Sequence, residues 1–195
     1  MDIDEEGLRA GRVSALLYGV ARVPRDPARV QSPKAASRPG DAALDALCRE
    51  LGDEASTGLT LIGPGTTTQR ILEEMGIEGT LLGIDAVENG RLAGRDLREA
   101  ELLELLDGRG ARIVVSVVGG QGYVLGRGNQ QLSPGVVRRV GLDNLVVVAS
   151  LDKLLALDPP RLLVDTGDPE LDGELCGYRR VRVAPGHSVV LPVAA

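Results

Sequence analysis

Phenylalanine and tryptophan are absent from this chain of 195 residues, and tyrosine occurs only three times. A core without these rings must be aliphatic, and the hydrophobic share of 43% supplies enough apolar side chains for one domain of ordinary size. The charged share of 26% is also typical of a globular protein, so the composition excludes a fibre and a disordered chain.

Lysine is almost as scarce, since Lys34 and Lys153 are the only two. The other basic charge is arginine, a bias more typical of genome-wide codon usage than of a set of phosphate ligands. The formal net charge of −6 and the pI near 4.9 would repel a polyanion, and no basic stripe interleaved with aromatic residues occurs. We therefore expect no nucleic-acid partner.

Metal-ligating residues are few. Cys48, Cys176 and the single histidine, His187, are too dispersed to predict a zinc site or a redox pair. We expect both thiols to be buried and His187 to be structural or exposed. The N-terminal sequence is acidic where a signal peptide is basic, and no apolar run approaches the length of a membrane span. The sequence predicts a cytoplasmic protein without a membrane partner.

Hydrophobic periodicity predicts an α/β fold with a mainly parallel sheet and flanking helices. From Leu59 onward, short apolar runs alternate with stretches of helical spacing, as in βαβ units. Such runs suit strands that are covered on both faces. We expect strands at 59–63, 79–87, 111–118, 144–150 and 161–166, helices at 41–51, 66–75 and 98–106, a helix opened by Ser133-Pro134, and a C-terminal β-hairpin from 178–183 and 188–193.

Residues 1–40 differ in character from the α/β domain expected over 41–195. The apolar stretch 13–23 predicts an N-terminal edge strand, and 24–40 is a connection rich in Pro, Arg and Ser without periodicity. The strand has no covering element adjacent in sequence. We therefore expect an upstream domain or a second copy of the chain to cover it.

The sharpest local signal is the string Gly63-Pro64-Gly65-Thr66-Thr67-Thr68, which follows an apolar strand and opens a helix. Glycines let the backbone approach an anion, the first-turn N–H groups and the helix dipole favour negative charge, and threonine hydroxyls add donors. The string is neither G-x-G-x-x-G nor a Walker P-loop. It predicts phosphate binding by Gly63, Gly65, Thr66, Thr67 and Thr68, the alternative being a tight turn capped by Thr66.

A second glycine-rich segment follows the strand that ends at Val118. Ordering many glycines is entropically costly, which favours a ligand-facing loop over a spacer. In open α/β sheets, ligands bind at the carboxyl ends of the strands. Amides suit a nucleobase or ribose, and arginine suits a phosphate. The predicted nucleotide-binding residues of this segment are Gly119, Gly120, Gln121, Gly122, Arg127, Gly128, Asn129 and Gln130.

Two carboxylates at predicted strand ends, Asp85 and Asp165, complete the predicted nucleotide site. Carboxylates at that edge could hold Mg²⁺ or accept hydrogen bonds from ribose hydroxyls. Asp168, before Pro169, is either a third ligand or an ordinary helix N-cap.

The chain resembles, from about Ile3 to Val193, the C-terminal region of the archaeal and bacterial ATP-NAD kinase family, described as polyphosphate- or ATP-dependent. The resemblance lies in the strings IGPGTTT, LLGIDAV, VVGGQGYVLGRGNQQLSP, VGLDNLVVVAS and VDTGDPELDGELCGY. It implies transfer of a phosphoryl group to the 2′-hydroxyl of the adenosine ribose of NAD, giving NADP, with Mg²⁺ and with ATP or polyphosphate as donor.

The family also carries a GGDGT motif in an N-terminal α/β domain, and this sequence has no such string. The string Gly119-Gly120-Gln121-Gly122 of this chain has Gln at the position of the Asp in GGDGT. The resemblance therefore implies that the chain supplies NAD and phosphate-donor binding to a kinase completed by an N-terminal domain on another chain, and that it is inactive alone.

Two alternatives stay open. One is a free-standing binding module for a nucleotide or a sugar phosphate, because IGPGTTT is also similar to the phosphate loops of ribose-phosphate isomerases and phosphosugar-sensing regulators. The other is an inactive structural remnant of a kinase.

Overall fold

The computed structural model of the chain describes residues 41–195 and the backbone of two short strands, β1 (Asp2–Ile3) and β2 (Ala15–Leu16). The chain divides into two compact units, Met1–Ser32 and Pro33–Ala195.

In the first unit, β1 and β2 pair antiparallel, with Ile3 opposite Ala15. Part of the predicted strand over 13–23 therefore has a pairing partner adjacent in sequence, which the sequence analysis did not expect. The rest of that strand and the connection over 24–40 lie outside the described residues.

The second unit alternates helices with strands, as the periodicity predicts. Its elements are α1 (Ala42–Ala55), β3 (Leu59–Ile62), α2 (Thr66–Glu74), β4 (Asp85–Glu88), β5 (Arg91–Gly94), α3 (Glu99–Leu105), β6 (Ala111–Ser116), β7 (Tyr123–Leu125), α4 (Pro134–Val140), a 3₁₀ helix (Leu142–Asn144), β8 (Leu145–Val148), α5 (Leu151–Leu155), β9 (Leu162–Val164), α6 (Pro169–Leu175), β10 (Gly177–Ala184) and β11 (His187–Ala194).

These strands form one nine-stranded sheet in the order β5-β4-β3-β6-β8-β10-β11-β9-β7. Neighbours from β3 through β6 and β8 to β10 are parallel, as are β11, β9 and β7. The hairpin of β10 and β11 is antiparallel, with Val181 opposite Val189. The predicted α/β class, mainly parallel sheet and C-terminal hairpin are confirmed.

Helices cover both faces of the central strands. In β6, Val114 packs in a cluster with α1 and α2 residues such as Leu47 and Ile71, whereas Ile113 and Val115 belong to a second cluster on the other face. Alternate residues of one strand are therefore buried on opposite sides. This explains why the central strands lack the polar alternation of a half-exposed sheet.

Local helix signals are also confirmed at α4. Ser133 is its N-cap, with the side chain accepting from the Val136 N–H at 3.4 Å, and Pro134 is the first helical residue. The prediction of two buried thiols holds for Cys48 but is wrong for Cys176, which is exposed at the end of α6.

One predicted strand is mostly wrong. Only residues 85–87 of the expected 79–87 are extended, within β4 (Asp85–Glu88), which pairs antiparallel with β3 and forms a hairpin with β5. Residues 79–84 are irregular because the Asp85 carboxylate binds the Thr80 N–H in place of a strand partner. A strand not expected from the sequence, β7, lies between the two glycine clusters.

None of the helices in the described part of the chain combines the length and the apolar character needed to cross a membrane.

Candidate functional site

The carboxyl ends of β3, β6 and β8 meet at one edge of the sheet, which we call the carboxyl edge. These strands are parallel neighbours, with Leu61 opposite Ile113 and Val115 opposite Val147. Because β4 runs antiparallel to β3, its first residue, Asp85, also lies at this edge, opposite Ile62. The structure therefore brings together the predicted phosphate loop (63–68), Asp85 and the glycine turn 119–122 that follows β6.

Backbone hydrogen bonds hold the phosphate loop against its neighbours. The Gly63 N–H donates to the Val114 carbonyl at 2.8 Å, and the Gly65 N–H donates to the Leu81 carbonyl at 2.9 Å. Gly65 has φ 125° and ψ 160°, which side-chain-bearing residues rarely adopt, and a Cβ there would lie 2.8 Å from Ser116 Oγ. Both the backbone conformation and the available space therefore require glycine at position 65.

The N-terminus of α2 has no side-chain cap. Its N-cap residue is Gly65, and its first turn contains no acidic residue. Thr66, which the alternative interpretation made the cap, is instead the first helical residue and is exposed. The Thr68 hydroxyl donates to the Gly65 carbonyl at 3.0 Å. An N-terminus of this kind offers main-chain donors and the positive end of the helix dipole to an anion.

The other two predicted threonines point inward. Thr67 and Thr68 are both 0% exposed. The Thr67 hydroxyl accepts a hydrogen bond from Lys153 Nζ at 2.9 Å, and its carbonyl accepts from the Cys48 thiol at 3.6 Å. Of the three side chains, only that of Thr66 reaches the surface, so main-chain N–H groups and Thr66 are the donors that face outward.

Lys153 is the charged residue that the sequence analysis missed at this edge. It lies in α5, three residues after its N-cap Ser150, and is 6% exposed. Burial, and to a smaller extent the nearby Arg70 guanidinium, together lower the pKa of Lys153 from 10.5 to about 8. Among the residues that the structure describes, no carboxylate forms a salt bridge with its ammonium group, whose recorded acceptor is the neutral Thr67 hydroxyl.

Two signals in the sequence could have identified Lys153. It is one of only two lysines in a chain rich in arginine, and it follows directly after a predicted strand. The arginine bias was instead interpreted as a property of codon usage for the whole chain, and that interpretation overlooked the one lysine at a strand end.

The glycine turn 119–122 joins β6 to β7 at the carboxyl edge. The N–H groups of Gln121 and Gly122 both donate to the Val118 carbonyl, at 3.1 Å and 2.9 Å. A Cβ on Gly122, where φ is 82°, would lie 2.8 Å from the Arg161 carbonyl. A tight turn therefore requires at least this glycine. The turn as a whole lies at the same edge of the sheet as the phosphate loop.

Asp85 has a structural role at the same edge. It is 1% exposed, and its carboxylate accepts from the Thr80 N–H at 2.6 Å, the Thr80 hydroxyl at 3.0 Å and the Asp96 N–H at 2.9 Å. These bonds fix the segment that includes Leu81, whose carbonyl in turn holds Gly65. This geometry favours Asp85 as a support for the phosphate loop over the predicted contact with ribose or Mg²⁺.

The remaining predicted residues lie elsewhere. Strands β7 and β9 run parallel to β11, which is antiparallel to β10, so they run opposite to β3, β6 and β8. Loops after β7 and β9 are therefore at the opposite edge of the sheet. A salt bridge supports this placement. Asp168 follows β9 and lies 2.5 Å from Arg138 of α4. Because α4 precedes β8, its end lies at the edge where β8 begins, opposite the carboxyl edge. The expectation that all these strand ends share one edge is wrong.

At that opposite edge, Arg127 and Asp165 bind each other, with Nε 3.2 Å from the carboxylate, and Arg127 also lies 5.0 Å from the centre of the Tyr123 ring. Asn129 is buried and shapes the loop, because its side chain donates to the Val124 carbonyl at 2.8 Å and accepts from the Gly126 N–H at 2.9 Å. Gly128 and Gln130 are exposed in the same loop.

Asp168 is a helix N-cap, as one of its two interpretations predicted. Its carboxylate accepts from the N–H groups of Glu170 and Leu171 at 3.0 Å and 3.1 Å. The hydrogen bond from Arg138 and the backbone bonds together lower its pKa to about 2.

No group of three His, Cys, Asp or Glu side chains that could hold a metal ion occurs within the described residues. Asp85 already accepts three hydrogen bonds, and Asp165 is paired with Arg127. These residues do not form a protein cage for Mg²⁺, an ion that is commonly bound through one or two carboxylates and the phosphates of a substrate. Mg²⁺ stays a prediction from the resemblance.

A family model described as "ATP-NAD kinase C-terminal domain" matches residues 59–193. The matched segment begins at β3 and contains the phosphate loop, Lys153 and the C-terminal hairpin. No curated protein and no solved structure matches the chain.

Proposed function

The chain belongs to the ATP-NAD kinase family through that family's C-terminal domain, and from this we propose that it binds NAD and a phosphate donor for the phosphorylation of NAD to NADP. The observation that carries the proposal is the phosphate loop. Hydrogen bonds fix its backbone at Gly63 and Gly65, and the helix that follows has no side-chain N-cap. The loop also lies inside the segment that matches the family.

The chemistry suits this role. Phosphoryl transfer depends mainly on positioning and on neutralising phosphate charge, and main-chain N–H groups at a helix N-terminus supply both. We assign Gly63, Gly65 and Thr66 to a phosphate group and the adjoining turn, Gly119 to Gly122, to the rest of the same ligand. Arg127 and Gln130 lie at the other edge, so one phosphate group does not contact both loops.

The catalytic carboxylate is assigned to a GGDGT motif, which these 195 residues lack. The active kinase then requires an N-terminal domain carried by another polypeptide or by another part of a longer chain. In this division of labour the C-terminal domain contributes binding, and Mg²⁺ would arrive with the phosphate donor.

A coupled assay for NADP tests this division. We expect no NADP from the purified chain with ATP or polyphosphate, and NADP formation when a GGDGT-bearing polypeptide encoded beside it is added. The control is the same mixture with the motif's Asp changed to Asn. Robust activity of the chain alone would contradict the division of labour.

A second candidate is a free-standing binding module for a nucleotide or a sugar phosphate. It is favoured by one observation: this chain itself supplies contacts that shape the phosphate loop, from Val114, Leu81 and Ser116. Binding of ribose 5-phosphate or ATP by the chain, with no NADP formed in the mixed assay, would support this module over the kinase.

A further inference from the structure

We propose that Lys153 is a phosphate-binding residue, held by Thr67 so that its ammonium group meets a phosphate oxygen at the N-terminus of α2. This inference rests on the proposed function, which places a phosphate at that terminus, and it adds the side chain that supplies the charge. The phosphate belongs either to the donor or to the dinucleotide, and the experiment below distinguishes the two.

The first argument is the cost of the buried charge. Lys153 is 6% exposed, and within the described residues its ammonium has no carboxylate partner. A buried ammonium without an opposite charge is unfavourable, since removal from water is not offset by an ion pair. Among the described residues, Thr67 accepts one of the three ammonium protons, which leaves two donors and the positive charge for a ligand.

The second argument is position. Lys153 lies in the helix that follows β8, and Thr67 lies in the first turn of the helix that follows β3. Their 2.9 Å hydrogen bond fixes the ammonium beside the uncapped N-terminus of α2. The cation and the main-chain donors therefore converge from two different elements of the carboxyl edge.

Within the part of the chain that the structure describes, the other charged groups around Lys153 do not supply the missing negative charge. Arg70 on α2 is positive and is itself paired with Asp45 of α1 at 3.0 Å. Cys48 of α1 reaches the Thr67 carbonyl, but burial raises its pKa to about 12, so the thiol is neutral at ordinary pH. Asp152, adjacent in α5, is exposed. An anionic ligand is the group that would balance Lys153.

A purely structural role is the competing explanation, in which the hydrogen bond only ties α5 to α2. A neutral donor would make the same tie without burying a charge. The structural explanation predicts that ligands leave Lys153 unaffected, whereas phosphate binding predicts that they stabilise its charged form and raise its pKa.

The two lysines of the chain allow a direct test, because [¹³C]lysine labelling gives NMR signals from Lys34 and Lys153 alone. Lys153→Met assigns the signals. In the full chain without ligand we expect the Lys153 signal to titrate near pH 8, as its lowered pKa requires. Tripolyphosphate, ATP and NAD⁺ are then added separately. If tripolyphosphate and ATP shift the Lys153 signal and raise its titration midpoint, Lys153 binds a phosphate of the donor. If only NAD⁺ has these two effects, Lys153 binds a phosphate of the dinucleotide.

Calorimetry supplies the second readout. At about pH 7, Lys153→Met should lower affinity for the bound probe about tenfold or more, and Lys153→Arg should retain part of it. Arg91→Met, on the exposed strand β5, is the matched loss of one positive charge and should leave affinity unchanged. Terminal phosphates are fully ionised above about pH 7, so the affinity of the unaltered chain should fall toward about pH 9.5, and that of Lys153→Met should not.

Three results would overturn the inference. If a probe binds the unaltered chain and Lys153→Met equally, Lys153 has no phosphate role, and the proposed function stands. If Lys153→Met and Arg91→Met weaken binding equally, the effect is general electrostatics. If the full chain binds none of the probes at millimolar concentration, both this inference and the proposed binding function fail.

Discussion

Lys153 Nζ donates a hydrogen bond to Thr67 Oγ1 at 2.9 Å, although 86 residues separate the two in sequence. The bond joins the helices that follow β3 and β8, and both side chains are buried. It places a positive charge beside a helix N-terminus that has no side-chain cap. This part of the carboxyl edge is therefore strongly favourable to an anion and costly to the protein without one.

Lys153→Met should raise the free energy of unfolding near pH 7. The folded state lowers the pKa of this lysine to about 8 from its ordinary value of 10.5, so its charge opposes folding in full below about pH 8. The unfolded chain keeps the proton up to about pH 10.5, so the contribution of Lys153 to stability should rise with pH between these values and should be absent from Lys153→Met. The shift corresponds to about 3 kcal/mol at most, less about 1 kcal/mol for the lost hydrogen bond from Lys153 to Thr67.

Urea unfolding of both proteins at about pH 7 and about pH 9.5 measures this difference. A variant less stable than the unaltered chain at both pH values would show that the lysine is a structural tie. A more stable variant with weaker ATP binding would show that the charge is retained for binding at a cost in stability.

Gly65→Ala should weaken ATP binding about tenfold or more and destabilise the chain by about 1–3 kcal/mol. The reason is local: Gly65 has φ 125°, and a Cβ would lie 2.8 Å from Ser116 Oγ, so the phosphate loop must shift. Gly108→Ala is the control, because it also has a positive φ, 67°, but open space around its Cβ. Calorimetry measures ATP affinity, and thermal unfolding measures the stability of both variants. Normal ATP binding by Gly65→Ala would contradict the assignment of this loop as the phosphate site.

Asp85→Asn should lower the free energy of unfolding by about 2 kcal/mol or more. The buried carboxylate accepts three hydrogen bonds from Thr80 and Asp96, and an amide nitrogen would face one of these donors. Asp107→Asn, whose side chain is 86% exposed and pairs with Arg139, should change stability by less than about 0.5 kcal/mol. If Asp85→Asn instead keeps its melting temperature and loses NAD binding, Asp85 contacts ligand, as the sequence predicted.

Arg127→Met should leave tripolyphosphate affinity within about twofold, because Arg127 lies at the sheet edge opposite the phosphate loop. Stability should change by less than about 0.5 kcal/mol, since the ion pair with Asp165 is about half exposed on both sides. The affinity for NAD⁺ then decides the predicted nucleotide role of Arg127. A large loss for tripolyphosphate would show that the loop 126–130 does reach the phosphate.

Local signals predicted the fold well where short-range physics decides it. Ser133 and Pro134 open α4 because an N-cap oxygen and a fixed φ act within one turn of chain. The strand before Gly63 and the helix after Gly65 follow from an apolar run, a glycine turn and helical spacing. The family resemblance added what periodicity does not contain, and the match over residues 59–193 confirms it.

The wrong strand prediction at 79–87 has a different cause. The apolar run 79–87 has the composition of a strand, yet Asp85 binds the Thr80 and Asp96 N–H groups and keeps its first half irregular. The loop 126–130 has the composition of a ligand loop, and its nucleotide role stays a prediction, but the Asn129 amide binds the Val124 carbonyl and the Gly126 N–H. In both segments the polar groups satisfy the backbone itself, a use that composition alone does not distinguish from ligand binding.

By itself, the sequence determined most of the helices and central strands, their covered faces and the glycine-threonine loop between β3 and α2, because each of these depends on residues within a few positions of one another. The tertiary structure decided which loops share an edge and which side chains meet there. Strand direction is set by pairing between distant segments: the antiparallel hairpin of β10 and β11 reverses β9 and β7, and so separates Arg127 and Asp165 from the phosphate loop. The parallel pairing of β3, β6 and β8 has the converse effect, since it brings Lys153 to Thr67.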